Sequence, residues 1–221
     1  MKEKVFLLLT AAMLAVSSSG CSKSSGSKES VEETTELETY APLATVRERN
    51  IVELENFNYE IYDGRVMITK YKGSEANVIV PDEIEGQAVT EIGFYAFEAN
   101  YGLETVTLPD TITAIRECAF TDCSSLWSIN LPDGLTTIEK GAFTACTSLT
   151  SLTLPSSVTE VQEDAFVACE GLTSMTIFNP DLEYREWGLE DIPDLIIFAP
   201  NNSTVSEWAH KVGRYVDMEE G

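Results

Sequence analysis

A 23-residue period in the middle of the chain limits how the chain can fold more than any other feature. The dipeptide Ala-Phe occurs four times, and the dipeptide Leu-Pro three times, at this spacing. The pairs are Ala96-Phe97, Ala119-Phe120, Ala142-Phe143 and Ala165-Phe166, and Leu108-Pro109, Leu131-Pro132 and Leu154-Pro155. A fixed period of this length indicates coils that stack on one another and work through a surface rather than a pocket.

Each repeat can be interpreted as a short strand followed by a return path. In the stretch that ends at Pro155, the spacing points Leu149, Leu152 and Leu154 inward, and the proline, which lacks a backbone N–H, ends the strand. We expect neighbouring strands to pair in parallel and the Ala-Phe pair to form a short helical turn on the far side. Because one coil buries too little apolar surface alone, neighbours must share an interior. The inward columns are Leu103, Val106, Leu108; Leu126, Ile129, Leu131; Leu172, Met175, Ile177; Val89, Ile112, Leu135, Val158; and Ile92, Ile115, Ile138, Val161.

A further column of polar or thiol side chains keeps the same spacing, at Asn100, Cys123, Cys146 and Cys169. We interpret it as a structural ladder in which each side chain lies inside a bend and bonds the loop backbone, although a thiol is a poor donor. A disulfide is the alternative, since stacked strands are about 4.8 Å apart, but parallel side chains fit its geometry poorly. A metal site is disfavoured because the chain has no C-x-x-C pair and a single histidine, His210. Cys118 lies outside the column, and its pairing stays open.

The combined pattern is L-x-x-L-x-L-P followed by I-x-x-x-A-F-x-x-C. It resembles the BspA-like, or Treponema pallidum-type, class of leucine-rich repeat. The resemblance covers about residues 57–217 and implies an N-terminal cap at 57–90, regular repeats at 91–178, a degenerate repeat with a C-terminal cap at 179–217, and a tail at 218–221. The expected fold is an α/β solenoid of short parallel strands with a 23-residue period, an N-terminal β-hairpin cap and a C-terminal helical cap.

Local signals agree with both caps. Asp63-Gly64 lies between two alternating apolar runs, which is typical of a tight hairpin. Five extra residues around 83–87 interrupt the regular period, as they do in the family. Near the other end, Val205, Trp208 and Ala209 suit one face of a closing helix, and the run Leu195-Ile-Ile-Phe198 predicts a last strand.

The N-terminus has the pattern of an export signal. Lys2 and Lys4 precede an apolar run from Val5 to Val16 that is shorter than the roughly twenty residues a membrane span needs. Gly20-Cys21 then resembles a bacterial lipobox, although Ser18 stands where that family prefers Leu. We therefore expect a lipoprotein-type signal peptide at 1–20 and lipid attachment at Cys21. The alternative is an ordinary signal peptide cleaved nearby.

The next segment, residues 21–56, changes to a polar and acidic composition that predicts a disordered tether behind the anchor. A short helix or coil is possible near Val46–Leu54. The net charge of −23 disfavours nucleic acid and anionic lipid as partners, so only the lipid anchor is expected to contact the membrane.

No catalytic or cofactor-binding motif emerges from the sequence. His210 falls within the expected closing helix, where a solvated surface position is expected. There is no Gly-rich phosphate loop and no D-x-D-x-D-G calcium pattern. We therefore expect no enzyme activity, no cofactor and no metal.

What remains is the outward face of the strands. Its residues form a hydroxyl-rich stripe, in which an exposed tryptophan would suit a binding anchor. A solvated β-face with a partly packed Trp127 is the alternative. The candidate ligand-face residues are Glu104, Trp127, Ser128, Asn130, Thr150, Ser151, Thr153 and Thr173.

The resemblance implies a function in adhesion. We expect a membrane-anchored lipoprotein on the outside of a bacterial cell that contacts an extracellular protein or glycan of a host, matrix or neighbouring cell. The alternative is a structural spacer or assembly element of the cell envelope.

Overall fold

The computed structural model describes residues 54–217. The predicted signal peptide, the lipid attachment at Cys21, nearly all of the tether and the tail at 218–221 lie outside the described residues. Of the possible helix near Val46–Leu54, only Leu54 is described, and it begins a 3-10 helix at Leu54–Asn56. Between residues 54 and 217 no helix has the length and apolar character needed to cross a bilayer.

The described residues wind into stacked coils of short strands and end in one helix, so the predicted solenoid with its two caps is confirmed. Each regular coil contributes one strand on each of two sides. The elements are β1 Phe57–Tyr62, β2 Arg65–Tyr71, β3 Asn77–Ile79, β4 Glu83–Ile84, β5 Gln87–Ile92, β6 Thr105–Thr107, β7 Ala114–Ile115, β8 Ser128–Ile129, β9 Thr137–Ile138, β10 Ser151–Leu154, β11 Glu160–Val161, β12 Ser174–Ile177, β13 Ile196–Ala199, α1 Thr204–Lys211 and β14 Tyr215–Asp217.

The two sides of the stack differ in continuity. One side is a single sheet in the order β1-β2-β5-β7-β9-β11, with β4 paired to β5, and we call it the return sheet. The other side, which we call the strand face, consists of the sheet β3-β6-β8 and the sheet β10-β12-β13-β14. The expected parallel pairing is present within each sheet, but it is interrupted between β8 and β10.

The interior is a column of aromatic rings surrounded by aliphatic side chains. The rings of Phe97, Phe120, Phe143 and Phe166 are fully buried, and successive centroids are 4.9, 5.4 and 5.7 Å apart with nearly parallel planes. Tyr71 of the cap begins the column, 5.2 Å from Phe97. Because each ring contacts the rings of adjacent coils, the coils share one core, as the repeat spacing predicts.

The prediction that the Ala-Phe pair forms a short helical turn is wrong. The amide of Phe97 donates to the carbonyl of Ala119 in the next coil at 2.7 Å, so it does not form a bond within its own coil. A left-handed residue precedes each pair, and another follows each Phe by two positions, which prevents a right-handed helix from continuing. These residues, with φ between 54° and 63°, are Tyr95, Ala99, Cys118, Asp122, Gly141, Ala145, Asp164 and Ala168.

Both caps form from the predicted segments. β1 and β2 pair antiparallel around Asp63 and Gly64, whose φ values of 48° and 73° suit a tight hairpin turn. The extra residues around 83–87 form a second small hairpin of β4 and β5. Helix α1 begins after Ser203, whose hydroxyl accepts from the amide of Ser206. The sequence did not predict β14, which adds a parallel strand to β13.

Candidate ligand-binding face

The parallel register aligns the side chains of the strand face in columns. Val106 pairs with Ile129, and Leu152 pairs with Met175, and all four point into the core. Because side chains alternate along a strand, the residues on either side of each point outward. The columns repeat from coil to coil for this reason, so outward residues 23 positions apart are neighbours.

The candidate residues lie on this outward surface. Thr150 and Thr173 lie one coil apart, and Thr173 donates from its backbone amide to the carbonyl of Thr150 at 2.9 Å. The backbone amide of Trp127 likewise donates to the carbonyl of Glu104 in the preceding coil at 3.0 Å. The side chain of Trp127 is 51% exposed, so about half of its surface is available to a partner. The other candidates are exposed as well, except Ser128, which is half-buried: Glu104, Asn130, Thr150, Ser151, Thr153 and Thr173.

The polar groups of this face are not equally available. The hydroxyl of Thr173 donates to the carbonyl of Thr150 at 3.1 Å, and the amide of Asn130 binds both backbone groups of Leu108. By contrast, the hydroxyls of Thr150, Ser151 and Thr153 have no protein partner within residues 54–217. Within the same residues the hydroxyl of Ser128 has no protein partner either, so free hydroxyls lie on the coil of Trp127 and on the coil that follows it.

The structure divides the candidate residues between two sheets. Trp127, Ser128 and Asn130 lie on or beside β8, whereas Thr150, Ser151 and Thr153 lie on or beside β10. These two strands share no hydrogen-bonded ladder. The face is therefore one surface built on two separately paired halves, with Trp127 beside the junction.

Exposed apolar side chains lie at both ends of the strand face, and the sequence analysis did not predict them. Ile79 on β3 is 42% exposed, Ile196 on β13 is 42% exposed, and Phe178 directly after β12 is 51% exposed. Phe178 occupies the position of the strand-ending prolines Pro109, Pro132 and Pro155. That departure from the repeat was visible in the sequence and could have identified it.

The Asn and Cys column lies inside the bends. The Sγ atoms of Cys123, Cys146 and Cys169 are 3.1, 3.2 and 3.0 Å from the carbonyls of Phe97, Phe120 and Phe143. Each thiol thus donates to the preceding coil. Asn100 donates from Nδ2 to the carbonyl of Phe97 in its own coil at 2.6 Å.

Burial makes these thiols weak acids. It raises the pKa of Cys123 and of Cys169 to about 12, and it raises the pKa of Cys146 well above its ordinary value. All three thiols, and Cys118, are free rather than disulfide-bonded. Protonated thiols are poor nucleophiles and metal ligands, which favours the interpretation of the column as a structural ladder.

An ionic cluster on the return sheet was also missed. Arg116 binds the buried Glu91 on one side and Glu139 on the other, each at 2.6 Å, and the hydroxyl of Tyr62 binds Glu91. Burial opposes the charge on Arg116, but hydrogen bonds to the two carboxylates outweigh it and leave the pKa of the guanidinium above its ordinary value. Burial and the bond to Glu91 raise the pKa of Tyr62. The cluster joins the cap to two regular coils.

His210 is exposed near the end of α1, its Nδ1 is 2.9 Å from the carbonyl of Ser206, and its ring lies against Tyr215. Over residues 54–217 no three His, Cys, Asp or Glu side chains are grouped so that they could hold a metal ion.

Comparison with known proteins agrees with this architecture. The family model for the BspA type leucine-rich repeat region matches residues 77–185 in six copies. The crystal structure of the T. pallidum leucine-rich repeat protein is similar with a TM-score of 0.51 and 25% identity, and the match covers 74% of this chain and 96% of that chain. The pneumococcal vaccine antigen PcpA has the same fold, with a TM-score of 0.53 and 20% identity over 76% of this chain and 49% of that chain.

No curated protein matches the chain. The matched repeats nevertheless coincide with the coils that build both the aromatic column and the strand face. The repeat region of this chain, residues 77–185, therefore belongs to the BspA-type leucine-rich repeat family, whose members are typically protein-interaction modules.

Proposed function

We propose that the chain is an exported, membrane-anchored lipoprotein whose strand face binds an extracellular protein or glycan. The observation that carries this proposal is the position of Trp127. It is 51% exposed and is followed one coil later by Thr150 and Ser151, whose hydroxyls are free of protein partners in the described part of the chain. A large exposed ring beside uncommitted hydrogen-bonding groups is the composition of a binding hot spot.

The apolar residues at the ends of the face favour a protein over a glycan. Ile79, Phe178 and Ile196 extend the contact surface beyond the hydroxyl stripe and offer apolar area to a partner. The free hydroxyls supply hydrogen bonds between these ends. Multipoint contact along a repeat surface is the usual mode of action of stacked-repeat proteins.

The face can be tested with a double substitution, Trp127→Ala with Thr150→Glu, in the whole chain. The change removes the anchor and places a charge where a partner would contact the hydroxyls. Capture of purified extracellular-matrix proteins and mucin should be lost, while the melting curve should stay nearly unchanged because both side chains are exposed. Retained capture would remove this face from consideration.

A matched control is Tyr101→Ala with Ser156→Glu. It also removes one exposed aromatic ring, which is 62% exposed, and adds one charge, but both positions lie outside the strands of the face. Capture by the control should equal that of the unmodified chain.

The anchor is tested separately by membrane partitioning. We expect Cys21→Ser to move the protein from the membrane fraction to the soluble fraction. Equal partitioning of the two chains would exclude lipidation at this residue.

A further inference from the structure

The return sheet ends at an open edge. Along this sheet each coil donates to the coil before it: Thr136 to the carbonyl of Thr113 and Thr159 to that of Thr136, both at 2.9 Å. Glu139 and Gln162 continue a second row by donating to Ile115 and Ile138, also at 2.9 Å. Both rows stop at β11, which is the last strand of the sheet.

The backbone groups left at this edge can be assigned from the register. β9 accepts from β11 through the carbonyls of Thr136 and Ile138, and the equivalent carbonyls one coil later belong to Thr159 and Val161. Because Glu160 and Gln162 donate towards β9, the intervening N–H of Val161 points the other way. Within residues 54–217 these two carbonyls and this N–H have no partner, and we call them the β11 edge.

The next coil leaves the sheet instead of covering it. The side chain of Asn179 donates to the carbonyl of Val158 at 2.7 Å and accepts from the amide of Asp181 at 2.9 Å, and this bend turns the chain away. Further along, Asp164 donates to the carbonyl of Glu186 at 2.9 Å, so the coil pairs again. A cleft stays open between β11 and residues 181–185.

The cleft has the size of a short strand. Its volume is about 470 Å³, and a second opening of about 340 Å³ adjoins it at Glu160, Val161 and Arg185. A strand residue within a sheet takes up roughly 160 Å³, from about 3.3 Å along the strand, 4.8 Å across and 10 Å through the sheet, so the larger cavity holds about three residues.

The charges around the cleft favour a basic occupant. Its lining includes four carboxylates, Glu160, Glu163, Asp181 and Glu183, and two cations, Lys140 and Arg185. Both cations are already paired, Arg185 with Glu183 and Lys140 with Glu163. Within residues 54–217 neither Glu160 nor Asp181 forms an ion pair, although Glu160 accepts from the side-chain amide of Gln162 at 2.9 Å and its charge helps to raise the pKa of Arg185.

We propose that the β11 edge binds an extended, Lys- or Arg-rich peptide segment of a partner protein, which adds one parallel strand to the return sheet. Backbone pairing supplies the docking geometry, and Glu160 and Asp181 select basic side chains. A second copy of this chain is a poor occupant, because its net charge of −23 would repel the acidic cleft. This surface lies on the return sheet and is independent of the strand face.

The test uses the whole chain and three labelled synthetic hexapeptides. The first alternates Lys with Val, the second alternates Glu with Val, and the third is the Lys peptide with alternate backbone nitrogens methylated. We expect the Lys peptide alone to bind in fluorescence polarisation, because methylation preserves the charge but prevents strand pairing. Equal binding of the methylated peptide would overturn strand addition, and absence of Lys-peptide binding would overturn the proposal as a whole.

Two further measurements locate the site. Glu160→Lys with Asp181→Lys should weaken binding of the Lys peptide by about tenfold or more, while the matched reversal of two exposed carboxylates elsewhere, Glu98→Lys with Glu170→Lys, should have a much smaller effect. Bound peptide should also slow hydrogen exchange at the N–H of Val161. Equal weakening by both charge reversals, or unchanged exchange at Val161, would place the peptide elsewhere and contradict the proposal. Because all four substitutions are at exposed positions, melting curves should show folded proteins.

Discussion

The side-chain amide of Asn130 binds both backbone groups of Leu108, with Oδ1 accepting from the amide nitrogen at 2.7 Å and Nδ2 donating to the carbonyl at 2.9 Å. A side chain thus provides the bonds that a neighbouring strand would otherwise provide. In its coil, β8 contains only Ser128 and Ile129, and Leu131 is only partly buried although its column predicts an inward position. These bonds join the coils of β6 and β8, which pair with each other, whereas the strand ladder is interrupted on the other side of β8, towards β10.

Asn130→Asp should destabilise the fold by about 1 kcal/mol, because a carboxylate keeps the bond to the amide of Leu108 but sets a second oxygen against its carbonyl. Urea unfolding measures the change. The control is Thr153→Asp at the equivalent position of the next coil, whose side chain has no such bond, and its effect should be smaller. Equal effects would show that the amide of Asn130 has no special role.

Asn130 also shows where sequence reasoning reached its limit. The repeat spacing predicted the stacked coils, the inward columns and the caps, because those depend on apolar residues that recur at a fixed period. A single Asn among Thr residues does not alter that pattern, yet it redirects two backbone bonds. The two bonds of Asn130 could not be predicted, because they depend on a side-chain geometry that no periodicity encodes.

The ionic cluster and the cleft were missed for related reasons. Arg116 and Glu91 are 25 residues apart, so their pairing does not follow the repeat spacing. The cleft exists because the coil that follows β12 departs from the return sheet after Asn179, and the sequence showed only that the pattern weakens there. The outward position of Trp127, by contrast, followed from strand alternation.

Phe143→Ala should cost about 3–5 kcal/mol of unfolding free energy, because the ring is fully buried between two others and its removal leaves a cavity. Chemical denaturation monitored by circular dichroism gives this value. Phe178→Ala, which removes the same ring from a position that is 51% exposed, should change stability by no more than about 0.5 kcal/mol. A small loss for Phe143→Ala would contradict the shared aromatic core.

The buried thiols should make the protein less stable in alkaline solution. Cys123 and Cys169 hold their protons up to a pKa of about 12, whereas in the unfolded chain these thiols ionise near 9.0. Between these values the native state binds more protons than the unfolded state, so the free energy of unfolding falls as the pH rises, by about 1.4 kcal/mol per pH unit for each such thiol.

Cys146, whose pKa is also raised by burial, provides the test. Under reducing conditions, Cys146→Ala should unfold more readily at neutral pH because of the lost packing, but its stability should fall less steeply between pH 9 and 11, by about 1.4 kcal/mol per unit. Urea titrations at several pH values measure both slopes. Identical slopes would show that Cys146 ionises alike in the two states.

Arg116→Ala should destabilise the fold by about 2–3 kcal/mol, because it leaves the charge of the buried Glu91 unpaired. This loss of unfolding free energy is smaller than for a fully buried ion pair, because the side chain of Arg116 is 31% exposed. Adding Glu91→Gln to Arg116→Ala should recover part of the loss by removing that charge. Arg185→Ala, which breaks an exposed pair, should leave the unfolding midpoint unchanged, and a comparable loss there would argue against burial as the cause.

The regular stacking of the rings from Phe97 to Phe166, with centroids 4.9 to 5.7 Å apart, has a consequence for how such a protein can evolve. Each ring contact of this column lies between equivalent positions of adjacent coils, and the column ends with Tyr71 stacked at the first ring and with the amide of Phe166 bonded to the carbonyl of Trp187. Duplication or loss of one 23-codon segment of the gene would therefore lengthen or shorten the molecule by about 4.8 Å while preserving the stacking of the rings. Binding area becomes a quantity that recombination can adjust in whole steps.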